Sequence, residues 1–177
     1  MKRSRTGLFM LMSLVAAPAL GTQHQPYAHE QSRGIRALSA EDIEQYRSGA
    51  GMGYAKAAEL NHFPGPMHVL ELADRLGLSA EQRAATKRLM DAHKAEARAI
   101  GAKLVESERA LDALFRRGKL SEAELAQAVR SAAALQGDYR LSHLETHRRL
   151  RAVLSDEQVA RYDQLRGYAS GKAHKKH

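Results

Sequence analysis

Apolar residues recur along this chain at the three- and four-residue intervals of an amphipathic helix, and no run shows the alternation of a half-buried strand. One seam carries Leu89, Ala97, Ile100, Leu104, Leu111 and Leu114; a second carries Leu125, Ala132, Leu135, Tyr139, Leu150 and Val153. Serines punctuate the pattern: Ser79 is followed three places on by Gln82, Ser121 by Glu124 and Ser155 by Gln158. That is capping-box spacing, in which the hydroxyl accepts from an exposed amide and the longer side chain returns the bond. The spacing predicts helices over about Ser79–Arg117, Ser121–Leu154 and Ser155–Tyr168. At the α-helical rise the first two are roughly 57 and 50 Å long. Only Gly118-Lys119-Leu120 separates them, which forces an antiparallel hairpin.

Folded about that turn, residues face each other when their numbers total about 236. Leu111 then meets Leu125, Leu104 meets Ala132 and Ala97 meets Tyr139, all apolar pairs. Gly101 and Gly137 fall at nearly one level, each costing about 1 kcal/mol relative to alanine. This predicts close approach or a shared bend there, unless the coincidence is idle. Ahead of the hairpin, short helices are expected at Ser39–Arg47, Tyr54–Leu60 and Met67–Leu76, broken by Gly49, Gly51, Gly53, the Pro64-Gly65-Pro66 turn and Gly77. The fold class expected is all-α: a long antiparallel helical hairpin with short flanking helices, cradle-like. So long and thin a hairpin cannot enclose its own stripe, so a homodimer is expected to cover part of it.

The chain start changes the setting. Lys2, Arg3 and Arg5 precede an apolar run over residues 8–16, then the small residues Ala17, Ala19 and Gly21. This is the plan of a signal peptide over residues 1–21, too short to span a bilayer. Export to the periplasm as a soluble protein is therefore expected. Residues 22–38 read as a flexible polar arm, 39–168 as the helical domain and 169–177 as a basic His/Lys tail. Cysteine is absent, which excludes disulfides and thiolate chemistry. Formal charge is +8, and removing Lys2, Arg3 and Arg5 leaves about +5, too diffuse for a nucleic-acid binder. It suits attraction to anionic partners. The glycines at 49, 51 and 53 follow no buried strand and precede no Gly-Lys-Ser/Thr, so they read as a turn. No nucleophile, base and orienting acid are placed together, and the chain is not expected to be an enzyme.

One cluster carries candidate chemistry. His143 and His147 lie one helical turn apart, and the hairpin register sets His93 opposite His143 and Met90 opposite His147. Three neutral imidazoles and a thioether would suit nickel, copper or zinc, with binding weakening as pH falls through about 6.5. The plainer alternative is that these residues pack in or beside the seam. Lys94, Arg98, Lys103, Arg116, Arg117 and Arg140 are candidates for a basic rim to a binding surface, or for simple solvation.

The motifs Leu78-Ser79-Ala80-Glu81-Gln82 and Leu154-Ser155-Asp156-Glu157-Gln158 resemble the paired Leu-Thr-x-x-Gln motifs of the Spy/CpxP family, with serine replacing threonine. The likeness covers roughly residues 66–168. It implies a periplasmic, cradle-shaped homodimer acting as an ATP-independent holding chaperone for unfolded envelope proteins, with no cofactor required. A metal-binding sensor or resistance protein is the alternative it implies, as is an adaptor docking on the periplasmic domain of a sensor kinase. His143 and His147 match the helical-turn histidine spacing of the family's sensors; Met90 and His93, three apart, depart from it.

Overall fold

A computed structural model describes residues 27–169, and every regular element among them is helical. The expected signal peptide and most of the basic tail lie outside the described residues. The helices are α1 (Ala40–Ser48), α2 (Lys56–Glu59), α3 (Pro66–Glu71), α4 (Ala80–Arg116), α5 (Glu122–Arg151) and α6 (Asp156–Arg166). Ser39, Ser79, Ser121 and Ser155 each cap a helix through a complete box, so the sequence signal places four helix starts to the residue. Helix α3 is shorter than expected. It stops at Glu71, and the chain reaches Gly77, at φ 63°, through a series of turns.

α4 and α5 pack along each other as the hairpin; α1 and α3 lie against α4, and α2 against α5. The segment before α3 runs back along the hairpin from its turn to its open end. Near the turn, Arg116 donates to the carbonyl of Gly34 at 2.8 Å, and Arg36 lies 3.6 Å from Asp112. Near the open end, His62 pairs with Asp163 of α6 at 2.6 Å. The described part of the expected flexible arm is therefore held. Ile35, 1% exposed, plugs into a core of Tyr46, Ala97, Leu104, Val105 and Tyr139. A single isoleucine in a polar stretch has no period to announce it, yet burying it contributes about 1.5–3 kcal/mol.

A second core closes the open end, built from Val69, Ala73, Leu76, Leu78, Leu150, Leu154, Val159 and Tyr162. There the two Leu-Ser-x-x-Gln motifs meet. Gln82 donates to Gln158 at 2.8 Å and Gln158 donates back to Gln82 at 2.9 Å, while each glutamine oxygen also accepts its own cap amide. Gln82 further donates to the carbonyl of Val153 at 2.9 Å. The motifs thus cap two helices and lock them to each other with one set of amides.

The two glycines of the hairpin separate in role. A Cβ on Gly101 would stand 1.9 Å from the carbonyl oxygen of Tyr46, so this glycine admits the end of α1 against α4. Gly137 has open space around it, so no close approach requires it.

Candidate functional site

Between the hairpin and the segment laid along it lies a cavity of about 670 Å³. The turn at residues 48–53, α2 and the start of α3 form one wall; α4, α5 and the end of α6 form the other. Met90 and His93 from α4 and His143 and His147 from α5 all line it. The hairpin register brings His93 and His143 together edge to face, ring centres 4.4 Å apart.

Hydrogen bonds fix how each imidazole is used. His143, 4% exposed, has its Nδ1 2.8 Å from the carbonyl oxygen of Tyr139. A carbonyl can only accept, so Nδ1 carries the proton and donates. Its Nε2 is left with a lone pair and stands buried without a partner. His147 repeats the arrangement, its Nδ1 donating to the carbonyl of Phe63 at 2.8 Å. His93 does so through a relay. Ser142 donates its hydroxyl proton to Glu96 at 3.0 Å, so its oxygen accepts from Nδ1 of His93 at 3.2 Å. All three tautomers, assigned from this network, leave Nε2 bare. Gly65 is needed beside them, because a Cβ there would meet Cε1 of His147 at 2.9 Å.

Burial favours the neutral ring. It lowers His93 to about 4, aided by repulsion from His143 and His147. Burial also lowers His143, against the opposing pull of the Tyr139 and Ala50 carbonyls. The unperturbed titration near 6.5 expected from sequence therefore does not hold for these two rings.

Tyrosines fix the surroundings. Tyr139 donates to the carbonyl of Ala50 at 2.6 Å, pinning the glycine turn to α5. Its ring meets Tyr46 and Tyr54 edge-on, centres 5.3 and 5.4 Å apart, and lies 4.7 Å from His143. The Gly49–Gly53 turn, read in the sequence only as a helix breaker, is thereby part of the cavity wall.

The donor set fits a transition-metal ion in part. Two adjacent neutral imidazoles with bare Nε2 atoms are suitable nitrogen ligands, with a third imidazole and the Met90 thioether lining the same cavity. Among the described residues, however, no group of three or more histidine, aspartate or glutamate side chains converges as a complete metal cage. The fit is to a pair of ligands, not to a closed site.

The six basic residues expected as a rim sit in different local settings. Lys94 lines the cavity and Arg98 donates to the carbonyl of Ser48 at 3.3 Å. Arg116 binds the Gly34 carbonyl and Asp112, and Arg117 holds the hairpin turn through Lys119 and Glu124. Lys103 and Arg140 are exposed. Sequence reasoning missed Glu59, Met52, Met67, His68 and Arg166, which α2, α3, α6 and the glycine turn bring to the cavity. No hairpin register could have placed them.

A family model described as heavy-metal resistance matches residues 48–161, well over half of the chain. No curated protein and no solved structure matches it. The matched span runs from the first residue of the cavity wall to α6, and so takes in both glutamine motifs and the imidazoles of His93, His143 and His147. Among the described residues no helix is long and apolar enough to cross a membrane.

Proposed function

The chain belongs to the heavy-metal resistance family, and on that premise we propose that it is an exported metal-binding protein, with Nε2 of His93 and of His143 as ligands. The observation that carries this reading is the shared tautomer. Three of the imidazoles in the cavity, those of His93, His143 and His147, each spend Nδ1–H on a fixed acceptor and keep Nε2 uncommitted. A fixed acceptor on the far ring nitrogen orients a ligating imidazole and raises its basicity. His147 and Met90 stand as the flanking donors. Nickel, copper and zinc are the ions suited to such nitrogens. The ion would supply charge and a cross-link between α4 and α5, and no bond of a substrate is made or broken.

Calorimetry tests it, on protein truncated before Ala173 so that the tail histidines cannot contribute. His143→Ala is expected to weaken the tightest of the three ions by more than tenfold, about 1.4 kcal/mol. Because burial lowers His93 to about 4 and also lowers His143, affinity is expected to fall less between pH 7.5 and pH 5.5 than it would for free imidazole ligands. Equal affinities for parent and folded variant would refute the assignment.

A second reading is the ATP-independent holding chaperone that the paired motifs imply. It is favoured by large apolar side chains left exposed on the hairpin, Phe115, Val129 and Leu141, the last 61% exposed. On this reading the metal-free protein slows light scattering by a denatured model substrate at near-equimolar ratio, and Leu141→Lys weakens the effect. No delay at several-fold excess would dismiss it.

A further inference from the structure

We propose that the cavity is also a binding site for a small amphiphilic organic anion, a monocarboxylate whose head meets Arg166 and Lys94 and whose unbranched apolar tail lies among Met52, Leu60 and Met67. The inference stands apart from the metal reading, since none of these residues is an imidazole.

Size is the first argument. A cavity of about 670 Å³ falls in the ~300–1,000 Å³ range of small-molecule sites, and an ion held by two imidazoles leaves most of it unfilled. The second is the character of the wall. Leu60 and Met67 stand about half exposed at the cavity, an arrangement that an apolar ligand would cover. Methionines reshape easily around a tail of variable length.

The third argument is charge. Lys56, Lys94 and Arg166 line the cavity against one carboxylate, Glu59. That carboxylate is already engaged: the Tyr162 hydroxyl donates to it, and His147 Nδ1 lies 3.6 Å away. Arg166 sits 3.8 Å from Glu59, yet its Nε is buried and makes no hydrogen bond. A buried donor without a partner is costly, and a guanidinium edge matches a carboxylate in plane and spacing. An incoming carboxylate would satisfy it with a charge-assisted bond; a neutral alcohol of the same length could accept a bond but would bring no charge to pair with the guanidinium.

The test is calorimetric titration of the full mature protein with decanoate and with decanol, in chelator so that no metal contributes. Expected are one decanoate per chain, at least tenfold preference for decanoate over decanol, and loss of binding in Ala55→Trp, which fills the wall. Arg166→Met is expected to weaken decanoate and leave decanol unchanged. If that variant melts early, Lys94→Met, on the exposed side of α4, decides the same point. Absence of decanoate binding, undiminished binding to Ala55→Trp, or equal affinity for decanol would each overturn the proposal. Decanoate binding in a sample that takes up no nickel would support this site while refuting the metal reading.

Discussion

Gly101 and Gly137 look alike in the sequence, each interrupting a long helix at nearly the same level. Only Gly101 has a neighbour that requires it, the Tyr46 carbonyl 1.9 Å from where its Cβ would stand. Gly101→Ala must therefore push α1 off α4 and is expected to cost about 1–3 kcal/mol, the range of overpacked cores. Gly137→Ala meets nothing within 4 Å and is expected to stabilise by up to about 1 kcal/mol through helix propensity. Urea unfolding monitored by circular dichroism reads both, and equal shifts of the same sign would contradict the packing described. The sequence contains the glycines but not their neighbours, because the partner of Gly101 arrives from a helix fifty residues upstream by a turn no register predicts. The imidazoles divide in the same way. Facing of His93 and His143 follows from the length of one loop, whereas their tautomers depend on Ser142, Tyr139 and Glu96, which give no sequence signal as hydrogen-bond partners of the rings.

At the level of elements, the helices that carry capping boxes were legible nearly to the residue, because the cap is a local device and its two side chains are three positions apart. The elements without such a device were read less well. Helix α2 shrinks to four residues and α3 to six, since neither has a side-chain cap and both are held by packing against the hairpin. The second use of the glutamines was equally hidden. A capping box accounts fully for Gln82 and Gln158 one at a time, and only the closed hairpin shows that the amide nitrogen of each donates to the side-chain oxygen of the other. The contacts of the basic residues were hidden for a related reason. Arg116 and Arg117 follow the pattern of a solvated face, but the folded chain presents carbonyls of the N-terminal segment and of the hairpin turn to them.

For the whole molecule, the hairpin is a frame and the cavity is made by what is laid along it. α4 and α5 bring Met90, His93, His143 and His147 to one side, and the glycine turn, α2, α3 and α6 close over them. Burial under that cover disfavours the charged forms of His93 and His143, and the Nδ1 of each of the three rings is held on a fixed carbonyl or hydroxyl. A hairpin without the cover would leave the imidazoles in water, free to exchange tautomers and to titrate near 6.5. The central claim is thus a statement about three rings at once, and long-range nitrogen–proton NMR of the histidine side chains reads it directly. At pH 7.5 in chelator, the Nδ1–H tautomer is expected at His93, His143 and His147, with His93 still neutral at pH 5.5, and on adding zinc the Nε2 resonances of His93 and His143 shift together. Nε2–H tautomers at His93 and His143 at pH 7.5, a protonated His93 at pH 5.5, or Nε2 signals unmoved by saturating zinc, would contradict it.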